Sequence, residues 1–314
     1  MTRAFIFPGQ GSQFVGMGKD LADSFAEARE VFQEVDDALS QNLTKIMFEG
    51  DEAALNLTEN TQPALMAVSM AVVKILKKQG GVSFENSCAF MAGHSLGEYS
   101  ALTAAGAFDL AVTAKLLKKR GLAMQKAVPV GVGAMAAILG LDYPDVDAIA
   151  RQAAGGEVCQ AANDNSVGQV VISGHKGAVA AAIALATERG AKKAVELPVS
   201  APFHCTLMAP AAQEMAYALA DTNIRPPFVP IVSNVTAKGV SEPSDIRRLL
   251  VDQITGTVRW RESVIWMKEQ GVTDMAELGA GKVLSGLVKR IDKEIACESA
   301  GTPEQIEALI AKLK

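Results

Sequence analysis

Gly93-His94-Ser95-Leu96-Gly97-Glu98 follows the apolar run Ala89-Phe90-Met91-Ala92 and precedes Tyr99, Leu102 and Thr103 at helical spacing. The segment therefore reads as a strand, a sharp turn and a helix, with Ser95 at the turn between two glycines. Such a turn crowds its own backbone, and glycine at both flanks avoids side chains that would not fit. A serine hydroxyl presented there is placed as a nucleophile, so acyl transfer through Ser95 is the leading reading. The plain alternative is an ordinary strand–helix turn with an incidental serine.

Working outward, strands and helices alternate. Residues 4–7 read as a strand and Gly9-Gln10-Gly11-Ser12-Gln13 as a loop. Ser24 is expected to cap a helix carrying Phe25, Ala28, Val31, Phe32 and Val35. Leu65, Val68, Val72 and Leu76 form one stripe of a buried helix over 63–76. Interleaving of this kind implies a parallel sheet covered on both faces. Between about 130 and 198 the rhythm changes. Strands over 131–139, 158–162, 169–173 and 194–197, with helices over 143–154 and 176–189, give the order β-α-β-β-α-β of a ferredoxin-like unit. Residues 163–168 read there as the loop joining two strands. The expected fold is α/β: a large subdomain with a parallel sheet, residues 1–127 and 199–314, carrying a ferredoxin-like insert at 128–198. After the insert, helices are expected over 213–220, 247–254 and 286–291, and strands over 229–234 and 275–278.

The 314 residues, 49% hydrophobic and 21% charged, suit a globular enzyme able to bury a core without metals or disulfides. A net charge of −5 opposes general nucleic-acid binding. Cys88, Cys159, Cys205 and Cys297 are widely spaced with no C-x-x-C pair, as expected of reduced thiols in a cytoplasmic protein. Met1-Thr2-Arg3 leads straight into a run too short for a secretory signal, and the longest apolar stretches fall short of the ~20 residues that span a bilayer. A soluble protein without membrane attachment is expected.

A serine needs a base, and only three histidines exist. His94 adjoins Ser95 but lines the turn, and His175 lies in a turn of the insert. His204, in Pro202-Phe203-His204-Cys205, falls between insert and large subdomain, where a cleft would hold a catalytic base. By residue chemistry alone it is equally a structural histidine. No metal motif surrounds any histidine, and neither Gly9-x-Gly11 nor Gly279-Ala280-Gly281-Lys282 has the spacing of a phosphate-binding loop.

Seven blocks occur in one order: Phe7-Pro8-Gly9-Gln10-Gly11-Ser12-Gln13, Thr61-Gln62-Pro63-Ala64-Leu65, the Ser95 hexapeptide, Arg120 before Met124-Gln125, Asn165-Ser166 before Gly168-Gln169-Val170-Val171, Pro202-Phe203-His204-Cys205, and Gly281-Lys282-Val283-Leu284. Together they resemble the malonyl-CoA:acyl-carrier-protein transacylase family, acyltransferases of fatty-acid and polyketide synthesis, from Ala4 to about Ile291. The resemblance implies an α/β-hydrolase-like large subdomain. It also implies that Ser95 attacks the malonyl thioester, His204 moves the proton, and the backbone N–H groups of Gln10 and Leu96 form the oxyanion hole. Arg120, which beside Lys118 and Lys119 would otherwise read as a solvated helix residue, would hold the malonyl carboxylate. Gln62 and Gln13 would line the pocket, and Phe203 would narrow it beside the acyl α-carbon, favouring malonyl over methylmalonyl. The backbone carbonyl of Gln253 would orient His204, with Asn165 shaping the site near it.

The implied partners are malonyl-CoA and acyl carrier protein, with no metal or resident cofactor. The CoA thioester is the substrate, and phosphopantetheine arrives on the partner. A monomer is expected. Lys115/Lys118/Lys119, Lys192/Lys193 and Lys289/Arg290 could dock an acidic carrier, though any one pair is equally an ordinary solvated face. A thioesterase or other serine hydrolase would share this chemistry, and a non-catalytic carrier-binding module is a different class.

Overall fold

Phe7 and Gly93 stand side by side where two parallel strands end, and the chain is built around that junction. The computed structural model describes residues 2–199 and 201–314. Its strands are β1 Thr2–Phe7, β2 Phe90–Gly93, β3 Gly133–Leu139, β4 Cys159–Ser166, β5 Gln169–His175, β6 Lys193–Glu196, β7 Ile231–Val232, β8 Gly239–Val240, β9 Val272–Leu278 and β10 Ala296–Ala300. The larger sheet runs β10-β9-β1-β2-β7-β8, with every pairing parallel except β7 to β8.

Side chains alternate across a strand, so a run apolar at every position must be covered on both sides. β1 shows this directly. Phe5 and Phe7 enter the core formed with the long helix Thr58–Lys78, whereas Ala4 and Ile6 pack on the opposite side with Trp260, Val264 and Leu287. The smaller sheet, β4-β5-β3-β6, is antiparallel throughout, with the helices Tyr143–Ala154 and Lys176–Glu188 on one face. Ala136, Ile138, Val170 and Ile172 point to those helices, while Met135, Ala137 and Val171 face the large sheet's side. This is the ferredoxin-like order expected from the sequence.

The differences from the expected elements have physical causes. β4 continues to Ser166, so 163–166 is strand and only a two-residue turn joins it to β5. A register shift between Ala161 and Asn163 inserts an extra residue, which places Asn163 opposite Val171 on the cleft face. The polar run that looks like a loop is paired instead with the large part: Val258 N–H donates to Ala162 O at 2.8 Å, and Asp164 N–H donates to Val258 O at 2.9 Å. Arg261 also grips the buried Asp164 carboxylate through Nε and Nη2. Ser24 caps nothing; it ends the short helix Lys19–Ser24, and Phe25 occupies the cap position of Ala26–Leu39. The helix expected from Pro63 begins at Thr58, with the proline inside it. β10 and the helix Pro303–Leu313 carry no apolar run before Ile306 and lie beyond the expected elements; β9 supplies the pairing that makes β10 a strand.

Gly93 and Gly97 fix how closely β2, its following helix and β1 approach. A Cβ on Gly93 would lie 1.9 Å from the Gly97 carbonyl, and one on Gly97 would lie 2.3 Å from Phe7 O. Backbone cannot yield as a flexible side chain does, so Gly97→Ala is expected to destabilise the fold by about 3 kcal/mol. A urea midpoint equal to that of the unsubstituted protein would contradict this packing.

Candidate active site

Ser95 stands two residues past the end of β2 and immediately before the helix Leu96–Ala104, with φ 54° and ψ −111°, a left-handed conformation that an L-residue holds only under constraint. Side chains from elsewhere supply the constraint. Ser95 N–H donates to Asn234 Oδ1 at 2.7 Å, Gln253 Nε2 donates to Ser95 O at 3.0 Å, and Asn234 Nδ2 donates to Gly93 O at 2.7 Å. Asn234 follows β7, and Gln253 sits in the helix Pro243–Thr255, so the turn is held from two separate elements. Leu96 is the first helical residue, so its N–H has no intrahelical acceptor. Leu96 and Gln10 both line the cleft.

His204, only 4% exposed, lies in the loop before the turn Thr206–Met208 and is itself at φ 58°. Its Nδ1 is 2.8 Å from Gln253 O and its Nε2 is 2.8 Å from Ser95 Oγ. A carbonyl can only accept, so Nδ1 carries the proton and Nε2 is left to accept the serine's. Burial pushes the His204 imidazole down to about 3, and the Arg120 charge adds to this, so the free base is neutral.

Arg120, from the helix Leu110–Ala127, is 1% exposed. Nη1 donates to Gln62 Oε1 at 2.7 Å, and Nη2 donates to Gln253 Oε1 at 2.9 Å and to Ser95 Oγ at 3.1 Å. Its Nε is buried without a partner among the described residues. A cleft of about 310 Å³ opens above these groups, walled on the far side by Met135, Asn165 and Val171 of the smaller sheet.

A nucleophile, an oriented base and a buried cation at one cleft suit transfer of an anionic acyl group, and known proteins share the chain's pattern. The acyl transferase domain model matches residues 4–313. The chain belongs to that acyl transferase family. It is 45% identical to the malonyl CoA-acyl carrier protein transacylase of Bacillus subtilis, over 99% of this chain and 97% of that one. A solved acyl-carrier-protein-S-malonyltransferase from Bartonella henselae superposes with TM-score 0.98 at 54% identity, covering 100% of this chain and 99% of that one. A chain of the solved complex between a type II PKS acyl-carrier protein and its malonyl-transacylase matches with TM-score 0.96 at 41% identity, over 99% of this chain and 100% of that one. The match reaches well past Ile291, where the resemblance seen in the sequence ended.

Within this acyltransferase, Gln10, Gln62, Leu96, Arg120, Phe203 and His204 all line the cleft around Ser95. Gln13 does not. Its Oε1 accepts from Gly11 N–H at 2.7 Å and its Nε2 donates to Asn56 at 2.8 Å, so it braces the loop behind Gln10. Asn165 lines the cleft, but its Oδ1 takes its hydrogen bond from His94 Nε2 at 2.8 Å and not from His204. The bulged end of β4 aims it at the residue beside the nucleophile. His175 accepts from Val158 N–H at 3.0 Å within the small sheet. Arg290, exposed at the mouth, donates to the cleft residue Gln169 at 2.6 Å. Sequence reasoning missed Asn234 and Glu98. Asn234 has no motif around it, whereas Glu98 could have been noticed as an acid opening an otherwise apolar helix.

A fluorophosphonate should label Ser95 stoichiometrically, detected as added mass on the intact chain. Ser95→Ala is expected to remove the label, and His204→Ala to slow labelling by about 10³-fold. Undiminished labelling of either variant would contradict the Ser95–His204 assignment.

Proposed function

We infer that the chain moves a malonyl group from malonyl-CoA to the phosphopantetheine thiol of acyl carrier protein through a malonyl-Ser95 ester, loading carriers for fatty-acid or polyketide synthesis. The observation that carries this reading is a buried guanidinium 3.1 Å from the nucleophile, with a donor still unpartnered. A malonyl ester on Ser95 places its carboxylate only a few bonds from Oγ, within reach of that fork, and a planar guanidinium matches a carboxylate through paired N–H bonds.

The chemistry follows from the geometry. His204 Nε2 takes the Ser95 proton as Oγ bonds to the thioester carbon, and the oxyanion so formed meets the N–H groups of Gln10 and Leu96. Collapse breaks the carbon–sulfur bond, and the imidazolium returns its proton to the departing CoA thiolate. The carrier thiol then repeats the steps in reverse. In the free site Arg120 donates to Ser95 Oγ, engaging a lone pair that attack requires. An acyl carboxylate recruits the guanidinium and frees the serine. This route uses no metal and no resident cofactor. The enzyme is proposed to act as a cytoplasmic monomer, and among the described residues no helix is long and apolar enough to cross a membrane. Exposed cations around the cleft, Arg290 among them, would meet an acidic carrier.

Arg120→Ala is expected to lower kcat/KM for malonyl-CoA by about 10²–10³-fold, the scale for removing one side of a desolvated charge pair, while acetyl-CoA transfer holds or rises. Radiolabelled malonyl-CoA should leave label on Ser95 that acyl carrier protein then removes. Loss of that label to water at the same rate without carrier would identify a hydrolase instead. Phe203→Ala is expected to raise methylmalonyl transfer relative to malonyl, and an unchanged ratio would remove Phe203 from substrate selection.

A further inference from the structure

A carboxylate buried beside the nucleophile has no part in the steps above. Glu98 is 2% exposed in the first turn of the helix Leu96–Ala104. Its Oε2 accepts from Gln253 Nε2 at 2.8 Å and from Asn234 N–H at 3.0 Å. These are the two residues that hold the Ser95 turn through its N–H, its carbonyl and the Gly93 carbonyl. Gln253 further gives its backbone carbonyl to His204 and its Oε1 to Arg120. A primary amide turned end for end keeps its shape, so only its neighbours decide which end faces which. At Gln253 a carboxylate that only accepts stands on one side and a guanidinium that only donates on the other.

We propose that Glu98 is a positioning residue for the Ser95–His204 pair: its carboxylate fixes the Gln253 amide and the Asn234 backbone, and these hold the strained serine and the base in register. The proposal rests on Ser95 being the nucleophile, but not on the identity of the acyl group. Both donors meet the one oxygen Oε2, and a neutral amide at position 98 offers them an uncharged and weaker acceptor while adding an N–H₂ group beside them, so the network loosens.

The consequence is a pH dependence. Burial pushes the Glu98 carboxyl up to about 7, against the N–H donors and Arg120. The titratable groups facing it are Arg120 and Tyr99, the latter a phenol that burial pushes up to about 12 and keeps neutral; Asn234, Gln253 and Ser233 bring no charge. The carboxyl is ionised above about 7 and protonated below; protonation weakens the acceptor that Asn234 N–H and Gln253 Nε2 donate to, so the positioning of the Ser95–His204 pair is lost as pH falls through that value. His204, pushed down to about 3, does not change charge in that interval.

The test is the rate of Ser95 labelling by a fluorophosphonate from pH 5.5 to 8.5, alongside kcat and KM for malonyl transfer. The unsubstituted enzyme is expected to slow as pH falls through about 7. Glu98→Gln should lack this limb, react about tenfold or more slowly at pH 8.5, converge on the unsubstituted rate at pH 5.5, and lower kcat with KM for malonyl-CoA nearly unchanged. Added to Gln253→Ala, which removes the side chain but keeps the carbonyl, it should cost less than it does alone. A Glu98→Gln enzyme with the full limb and rate, or strictly additive effects, would overturn the proposal while leaving Ser95 as the nucleophile. Were the variant unstable, a flat profile in the unsubstituted enzyme would overturn it equally.

Discussion

A buried guanidinium with no carboxylate in direct contact among the described residues sets the terms for the whole site. Moving a charge out of water is unfavourable by several kcal/mol unless neighbours replace the lost hydration. Around Arg120 the replacements are amide oxygens of Gln62 and Gln253, the Ser95 hydroxyl and the face of Tyr99, 5.8 Å from the guanidinium carbon. All of them are neutral. The negative group that balances the cation, Glu98, reaches it only through the Gln253 amide. The free site therefore holds a positive charge that is solvated but not fully offset, and an anionic acyl group completes it.

The choice of orienter for the base follows from the same constraint. A carboxylate at His204 Nδ1 would raise the basicity of the imidazole, but it would also place a second anion close to Arg120 and compete with the substrate's own. The Gln253 carbonyl fixes the tautomer without adding charge. The consequence is a weak base, pushed down by burial and by Arg120. A carboxylate held by Arg120, as proposed for the malonyl group, would offset that charge and restore part of the basicity when the ester is handed on. On the proposed function, one residue would both select the acyl group and adjust the base that processes it.

The parts of this arrangement legible in the sequence were the ones governed by local spacing. The elbow showed itself because Gly93 and Gly97 answer to contacts within a few residues and with β1, and the ferredoxin-like order showed itself through apolar periodicity. Arg120 did not, since a helix position beside two lysines looks solvated until the packing of Thr58–Lys78 against its own helix buries it. Asn165 lies at the expected cleft but bonds His94 rather than His204, because it is the residue inserted at the second register shift of β4, between Asp164 and Ser166, and such a bulge leaves no mark in composition. Asn234 and the Gln253 side chain act across 139 and 158 residues of chain, a separation at which no spacing rule applies.

The two sheets explain why one site serves two thiols. The part built on the large sheet carries Ser95, His204 and Arg120, while the smaller sheet contributes a wall and the Asn165 bond to His94, fastened by the Val258 backbone bonds and the Asp164–Arg261 pair. The cleft of about 310 Å³ lies at the small end of ligand sites, a volume that suits one acyl-bearing pantetheine arm at a time. Donor and acceptor arms are chemically alike there, so they compete for the same wall and cannot meet in it together. Transfer between them then requires that the acyl group wait on the protein while one arm leaves and the other enters. The fully held turn at Ser95 would give it a fixed place to wait, and on the proposed function the buried Arg120 would keep its carboxylate anchored meanwhile.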